Sequence, residues 1–194
     1  MSIRLAEQSD IPAMLAIYGP YVEHTCYSFE YTVPTPEEFT ARFCAYTAQF
    51  PWLVWEEQGE LLGYAYGSAP FERAAYRWCA EVSVYVSPKA HRRGIGRALY
   101  AVLEEIIFRQ GYLVIYSLIT TDNPDSIAFH QALGYKTVAE MPGCGIKFGR
   151  LLGIVYMEKR APFSQFPTEF PISSHNIVNN TIIERDILGK FSLS

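Results

Sequence analysis

Residues 81–97 read EVSVYVSPKAHRRGIGR. The opening stretch alternates: Val82, Val84 and Val86 fall on one side, Glu81, Ser83 and Tyr85 on the other. A period of two marks a strand, and extended back to Cys79 it places Ala80 on the valine side. Pro88 stops it. A basic turn follows, and Gly94-Ile95-Gly96 opens the strongest helix of the chain, over 94–109. Its Ile95, Leu99, Val102, Leu103, Ile106 and Ile107 share one side. A helix start built on glycine leaves backbone N–H groups free, and the positive end of the helix dipole points the same way. Lys89, His91, Arg92, Arg93 and Arg97 add cationic charge around it. Together these predict an anion site, with a pyrophosphate as the expected ligand. A dinucleotide fingerprint fits less well, because residue 99, where Gly or Ala is required, is Leu.

Upstream, the spacing predicts a strand at 3–6 and a helix capped by Ser9 or Asp10, with Pro12 in its first turn. Gly19-Pro20 is expected to kink or end that helix. The alternation at 27–31 suggests a strand, and Thr35-Pro36-Glu37-Glu38 starts a helix that runs toward residue 48. A hairpin is expected over 52–56 and 61–68, then a loop over 70–77. Downstream, 113–119 reads as a strand buried on both faces. Asp122 or Asn123 caps a short helix that Gly134 ends. Strands at 135–140 and 154–159 flank a glycine-rich hairpin at 142–153. This is a mixed α/β order without the repeated βαβ units of a doubly wound sheet.

The 194 residues carry 16 Lys+Arg and 20 Asp+Glu, so the net charge is −4. Mild acidity argues against a broad nucleic-acid or anionic-membrane surface. At 49% hydrophobic the chain is of folding composition, and about 70% of its unfolded surface should be buried. Cys26, Cys44, Cys79 and Cys144 form no C-x-x-C pair, so neither a zinc nor a disulfide framework is expected, and no metal. No run of about 18 apolar residues is present, and the first residues lack the apolar stretch of a signal peptide. The expectation is a cytoplasmic protein with no membrane and no nucleic-acid partner. Composition shifts at Arg160, which predicts a domain over 1–160 and an extension over 161–194 with an apolar cluster at Ile182, Ile183, Ile187 and Leu188. Asn179-Asn180-Thr181 matches a glycosylation acceptor that has no use without secretion.

A second motif runs from Asp122-Asn123-Pro124 to Leu133-Gly134-Tyr135. With the Gly94 turn before it, the order resembles the GCN5-related N-acetyltransferase (GNAT) superfamily. That family carries a [Q/R]-x-x-G-x-[G/A] turn and an N-x-x-[AS]-x-x-[FL]-[YH]-x-x-x-G-[FY] unit. The phosphinothricin and methionine sulfoximine acetyltransferase branch is the nearest match. It shares Pro51-Trp52-Leu53-Val54, Ala75-Tyr76-Arg77-Trp78, Ala80-Glu81, Ser83 to Ser87, and His130 to Tyr135. The resemblance covers residues 3 to 160 and departs at two places. His91 stands where Gln or Arg is usual, and Leu152-Gly153 stands where the branch has His-Asp.

The resemblance implies a mostly antiparallel twisted sheet flanked by helices, and acetyl-coenzyme A as acetyl donor. It implies Glu81 as general base, directly or through water, and His130 as the acid for the thiolate. The pantetheine arm would pair with backbone groups at Val84 and Val86, with Tyr85 facing the pocket. His91, Arg92, Arg93, Gly94, Ile95, Gly96 and Arg97 would hold the pyrophosphate, and Asn123 would contact coenzyme A. Arg73 and Arg77 could clamp an acid group bidentately, with Phe29, Tyr31 and Trp78 lining the same pocket. Lys147 is a weaker candidate, and Cys79 reads as a small apolar filler. The expected acceptor is the amine of a small amino-acid-like compound, and the expected assembly a homodimer. Acetylation of a peptide N-terminus, a polyamine or an aminoglycoside is the alternative within enzymology. A non-catalytic acyl-coenzyme A sensor is the alternative outside it.

Overall fold

A computed structural model describes residues 1–162 and 169–178. Seven strands form one sheet: β1 (Ser2–Leu5), β2 (Trp52–Glu57), β3 (Glu60–Ser68), β4 (Cys79–Val86), β5 (Val114–Thr120), β6 (Lys136–Lys147) and β7 (Arg150–Arg160). Their order is β1-β2-β3-β4-β5-β7-β6. Every neighbouring pair is antiparallel except β4 and β5. The long helix between those two strands supplies the crossover that a parallel pair requires.

Helices α1 (Ile11–His24) and α2 (Pro36–Thr47) cover one face of the sheet. Helices α3 (Ile95–Gln110), α4 (Pro124–Ala132) and the short α5 (Ser174–Val178) cover the other. The α1/α2 face is aromatic: Tyr18, Phe39 and Phe43 pack with Trp52 and Tyr64. The α3 face is aliphatic, with Leu99, Leu103, Ile106 and Ile107 on Ala65, Val82 and Ile115. Tyr85 joins the first cluster and Val82 the second. Since β4 runs without a bulge, Glu81 shares the α1/α2 side with Tyr85.

Several expectations need correction. Of the two outcomes expected at Gly19-Pro20, a kink or an end, the end does not occur: helix α1 runs on to His24. Proline costs one helix hydrogen bond, and burial of Tyr18 and Val22 on either side offsets it. Residues 27–31 form turns instead of a strand. Thr25 Oγ1 accepts from the Tyr27 N–H and Ser28 Oγ from the Glu30 N–H, and such local bonds compete with a strand ladder. The hairpin expected at 142–153 forms, but its strands extend beyond the expected 135–140 and 154–159 until only Phe148-Gly149 turn. Both have positive φ, 51° and 70°, the geometry of a tight hairpin. Strand β5 is not buried on both faces: Leu118 is exposed.

The segment after Pro162 returns to the domain. The Ile172 N–H donates to the Gln110 carbonyl (2.9 Å), the Ser174 N–H to the Gln49 carbonyl (3.0 Å), and Ile177 enters the aliphatic core. The Ile182 to Leu188 cluster and the 179–181 acceptor lie outside the described residues. No helix among those described is long and apolar enough to cross a membrane.

Candidate functional site

Strands β4 and β5 pair over only three positions, Cys79↔Val114, Ala80↔Ile115 and Glu81↔Tyr116. Beyond Glu81 they part, because β3 holds β4 along its other edge as far as Val86 while β7 holds β5 as far as Thr120. The result is a wedge lined by Val82, Ser83, Val84 and Tyr85 on one side and Ser117 to Thr120 on the other. Backbone groups of β4 past Glu81 therefore face a slot instead of a neighbouring strand. An extended ligand with amide groups can complete the pairing.

At the open end the slot meets the start of α3. Gly94 caps that helix with φ 81° and Arg92 has φ 61°, so the turn needs left-handed backbone at two positions. Their curvature aims the free N–H groups of the first turn into a cleft of about 480 Å³ lined by Val84, Val86, His91, Arg92, Gly94 to Arg97 and Asn123. The expected pyrophosphate residues do not contribute alike. Arg93 is paired with Glu57 (2.6 Å) and Lys89 with Glu60, both on the β2–β3 hairpin. Arg92 and Arg97 have no carboxylate partner among the described residues. His91 Nε2 lies 2.9 Å from both Tyr21 Oη and the Val86 carbonyl, and Tyr21 Oη donates to that same carbonyl (2.6 Å). His91 thus ties the turn to β4 and α1. Asn123 caps α4 by accepting from the Ser126 N–H (3.1 Å), which leaves its amide N–H₂ toward the cleft it lines. The cleft fits a polyphosphate: it has free N–H groups, two unpaired guanidiniums and no facing carboxylate but Asp125.

At the closed end, Glu81 is half-buried and burial pushes its carboxyl up to about 7. A carboxylate poised near neutrality suits proton abstraction from an amine. On the opposite side of the sheet, His130 is buried. Its Nδ1 lies 2.7 Å from the Ser126 carbonyl, and Nε2 lies 2.9 Å from Ser117 Oγ and 3.0 Å from Tyr100 Oη. Burial holds the imidazole below its ordinary pKa. His130 lines the slot, but as a neutral ring with both nitrogens engaged, a poor fit to the expected imidazolium donor.

The expected acceptor residues are not brought into one pocket. Phe29 packs over Gly145, where a Cβ would stand 2.5 Å from its ring, and Tyr31 Oη donates to the Ile146 carbonyl (2.7 Å). Arg77 and Trp78 lie at the start of β4. There Phe170 stacks on Trp78 (5.3 Å between centroids) and under the Arg77 guanidinium (5.2 Å). Arg77, Cys79, Phe71, Tyr76 and Phe170 share a separate pocket of about 400 Å³. Arg73 is exposed beside it.

Three residues were not legible as site residues. Tyr100 falls inside the apolar stripe of α3, Ser117 inside an apolar strand, and Tyr21 beyond an expected helix break. A hydroxyl among buried apolar neighbours, as at Ser117, was the available signal. Lys147 is also reassigned: it is 1% exposed, and its ammonium donates to the carbonyls of Val22 (2.8 Å) and Ser28 (2.6 Å). It pins the α1–α2 loop and does not face the slot. Among the described residues no three His, Cys, Asp or Glu side chains are grouped to hold a metal ion.

Residues 3–153 match the family model described as an acetyltransferase (GNAT) domain. The chain is 36% identical over 176 residues to phosphinothricin N-acetyltransferase of Alcaligenes faecalis, covering 88% of this chain and 86% of that one. It is 35% identical to the L-methionine sulfoximine/L-methionine sulfone acetyltransferase of Salmonella typhimurium, covering 81% and 93%. The crystal structure of a GNAT superfamily phosphinothricin acetyltransferase from Sinorhizobium meliloti, in complex with acetyl-coenzyme A, superposes with a TM-score of 0.83. It is 34% identical and covers 87% of this chain and 93% of that one.

Proposed function

The chain belongs to the GNAT acetyltransferase family and is an acetyl-coenzyme A-dependent N-acetyltransferase, and on that premise we propose that its acceptor is the primary amine of a small amino-acid-like compound of the phosphinothricin or methionine sulfoximine type. One observation carries the site assignment: the wedge has a carboxylate of raised pKa at its closed end and an anion-binding turn at its open end. Five residue steps along β4 take Glu81 to Val86, about 17 Å of strand. The similarity to relatives named for those two acceptors supports the substrate class.

The donor supplies a thioester carbonyl activated toward nucleophiles. Arg92 and Arg97 neutralise phosphate charge, and the N–H groups of the first α3 turn donate to phosphate oxygens. Backbone groups of Val84 and Val86 orient the arm in the slot, and Asn123 offers its amide at the rim. Glu81, as carboxylate, takes the proton from the attacking amine. Backbone N–H groups of β4 left free by the wedge lie where negative charge develops on the carbonyl oxygen.

The assembly we assign is a homodimer. Strand β6 is the sheet edge, and Val138, Met141, Ile146, Phe148 and Leu151 are exposed around its hairpin, Leu151 to 71%. An uncovered apolar edge of this kind is an association site. Sedimentation should give twice the 22.0 kDa chain mass, and Leu151→Asp should return the monomer. The compartment we assign is the cytoplasm, consistent with four free cysteines.

Thiol release from acetyl-coenzyme A tests the function, measured with phosphinothricin, methionine sulfoximine, methionine sulfone, free amino acids, spermidine, an aminoglycoside and a peptide. Saturable release with the amino-acid analogues is the expected result. Release only with the peptide, polyamine or aminoglycoside would overturn the substrate class. Acetyl-coenzyme A binding with silence across the panel would favour a sensor.

A further inference from the structure

Behind the wedge, on the side away from Glu81, three side chains from three elements converge. Tyr100 comes from α3, Ser117 from β5 and His130 from α4, and each is 3% exposed or less. Ser117 is the first residue of β5 beyond the last β4 pair, so it stands at the apex of the slot. Its hydroxyl reaches His130 Nε2 at 2.9 Å, and Tyr100 Oη reaches the same atom at 3.0 Å. His130 Nδ1 faces the Ser126 carbonyl at 2.7 Å. A carbonyl only accepts, so Nδ1 carries the ring proton and Nε2 is bare. One imidazole nitrogen has one in-plane lone pair. Two hydroxyls compete for it, and only one proton can be used there. The other is not used by the ring; Ser117 also stands within hydrogen-bonding reach of Tyr100, and all three side chains line the slot, so that proton is divided between Tyr100 Oη and the slot.

Granted the acetyltransferase reading above, we propose that Ser117 is a catalytic residue that donates a hydrogen bond to the coenzyme A sulfur as it departs. Tyr100 and His130 are positioning residues: the Tyr100 proton fills the Nε2 lone pair and leaves the Ser117 proton for the slot. Attack comes from the Glu81 side of the sheet. The nitrogen–carbon bond forms, the carbon–sulfur bond breaks, and the bonding pair stays on sulfur. The amine proton passes to Glu81 and on to water, and the sulfur takes a proton from water. Ser117 keeps its own proton throughout. Its hydrogen bond strengthens as charge grows on sulfur, because bonds to charged acceptors are roughly twice as strong as neutral ones.

The test uses free coenzyme A and needs no amine. The thiol of bound coenzyme A is titrated by its thiolate absorbance in the wild type, Ser117→Ala, Ser117→Thr and Tyr100→Phe. The charged groups nearest the cluster are Glu81 across the sheet and Glu104 one turn along α3, itself paired with Lys159 (2.5 Å). All three remain in every variant, so differences isolate the hydroxyls. The bound thiol should ionise about one pH unit lower in the wild type than in Ser117→Ala. Ser117→Thr should restore it, and Tyr100→Phe should fall between, since Ser117 is then drawn onto Nε2. Turnover should drop about tenfold in Ser117→Ala, with the KM for acetyl-coenzyme A little changed. An identical thiol titration in wild type and Ser117→Ala, both binding coenzyme A, would overturn the role of Ser117 alone. Failure of the wild type to bind coenzyme A would overturn the acetyltransferase reading and this role with it.

Discussion

The slot and the loop that carries two of the expected acceptor residues are built in opposite ways. The donor end comes from contiguous sequence: β4 runs into the Arg92–Gly94 turn and α3, and β5 runs into the Asn123 cap and α4. Its core is aliphatic and its key groups are backbone N–H. The α1–α2 loop, which carries Phe29 and Tyr31, is stitched to the β6–β7 hairpin by residues more than a hundred positions apart. Phe29 lies on Gly145, Tyr31 on Ile146, and Lys147 on Val22 and Ser28. Its aromatic side chains are partly exposed. A helix start and a strand edge can bind a phosphate chain with little help from elsewhere, whereas an acceptor pocket requires distant loops to be held in register. On the proposed assignment, donor recognition is therefore a local property and acceptor recognition a global one.

Substitutions can break this contrast or sharpen it. The largest effect is expected at the closed end of the slot. Glu81→Gln should lower kcat by about 10²- to 10⁴-fold while coenzyme A affinity, measured calorimetrically, stays within about twofold. Next come the two unpaired guanidiniums. Arg92→Ala or Arg97→Ala should weaken acetyl-coenzyme A by about tenfold, in a salt-dependent way, with the acceptor KM unchanged. Arg93→Ala, already paired with Glu57, should cost less than either. Equal losses at all three would show that the ion pairs on the hairpin do not partition the turn.

At the α1–α2 loop, Lys147→Met leaves two carbonyls without their buried donor. It should cost about 2 kcal/mol, or about 5 °C in Tm by calorimetry, and raise the acceptor KM with the acetyl-coenzyme A KM unchanged. A rise in both would mean that the loop and the slot are mechanically joined.

The smallest effect concerns pH. The folded-state pKa of Glu81 is raised to about 7 from 4.5. The stability that goes with its neutral form is fully present below about 4.5 and is lost as pH rises through about 7. Glu81→Gln should therefore raise Tm at pH 8 and leave it unchanged at pH 4. The wild-type kcat/KM should climb through about pH 7 to a plateau.

The sequence alone determined the elements around the Gly94 turn and the Asn123 cap. Alternation in 79–86, the glycine turn and the Asn123 cap are short-range signals, because strand period, left-handed turns and helix capping depend on a few adjacent residues. It also placed Glu81 on the face opposite the valines, and the β2–β3 hairpin between the runs 52–56 and 61–68. Only the tertiary structure decided the rest. It split β4 from β5 after three pairs, since each strand is held by a different neighbour. It carried α1 past Pro20, where burial on both sides outweighs one lost hydrogen bond. It turned His130 into a buried acceptor beside Tyr100 and Ser117, and Lys147 into a clasp on a loop 119 to 125 residues away. Such roles depend on which groups remain unpaired once the chain has closed, and no local pattern of residues carries that information.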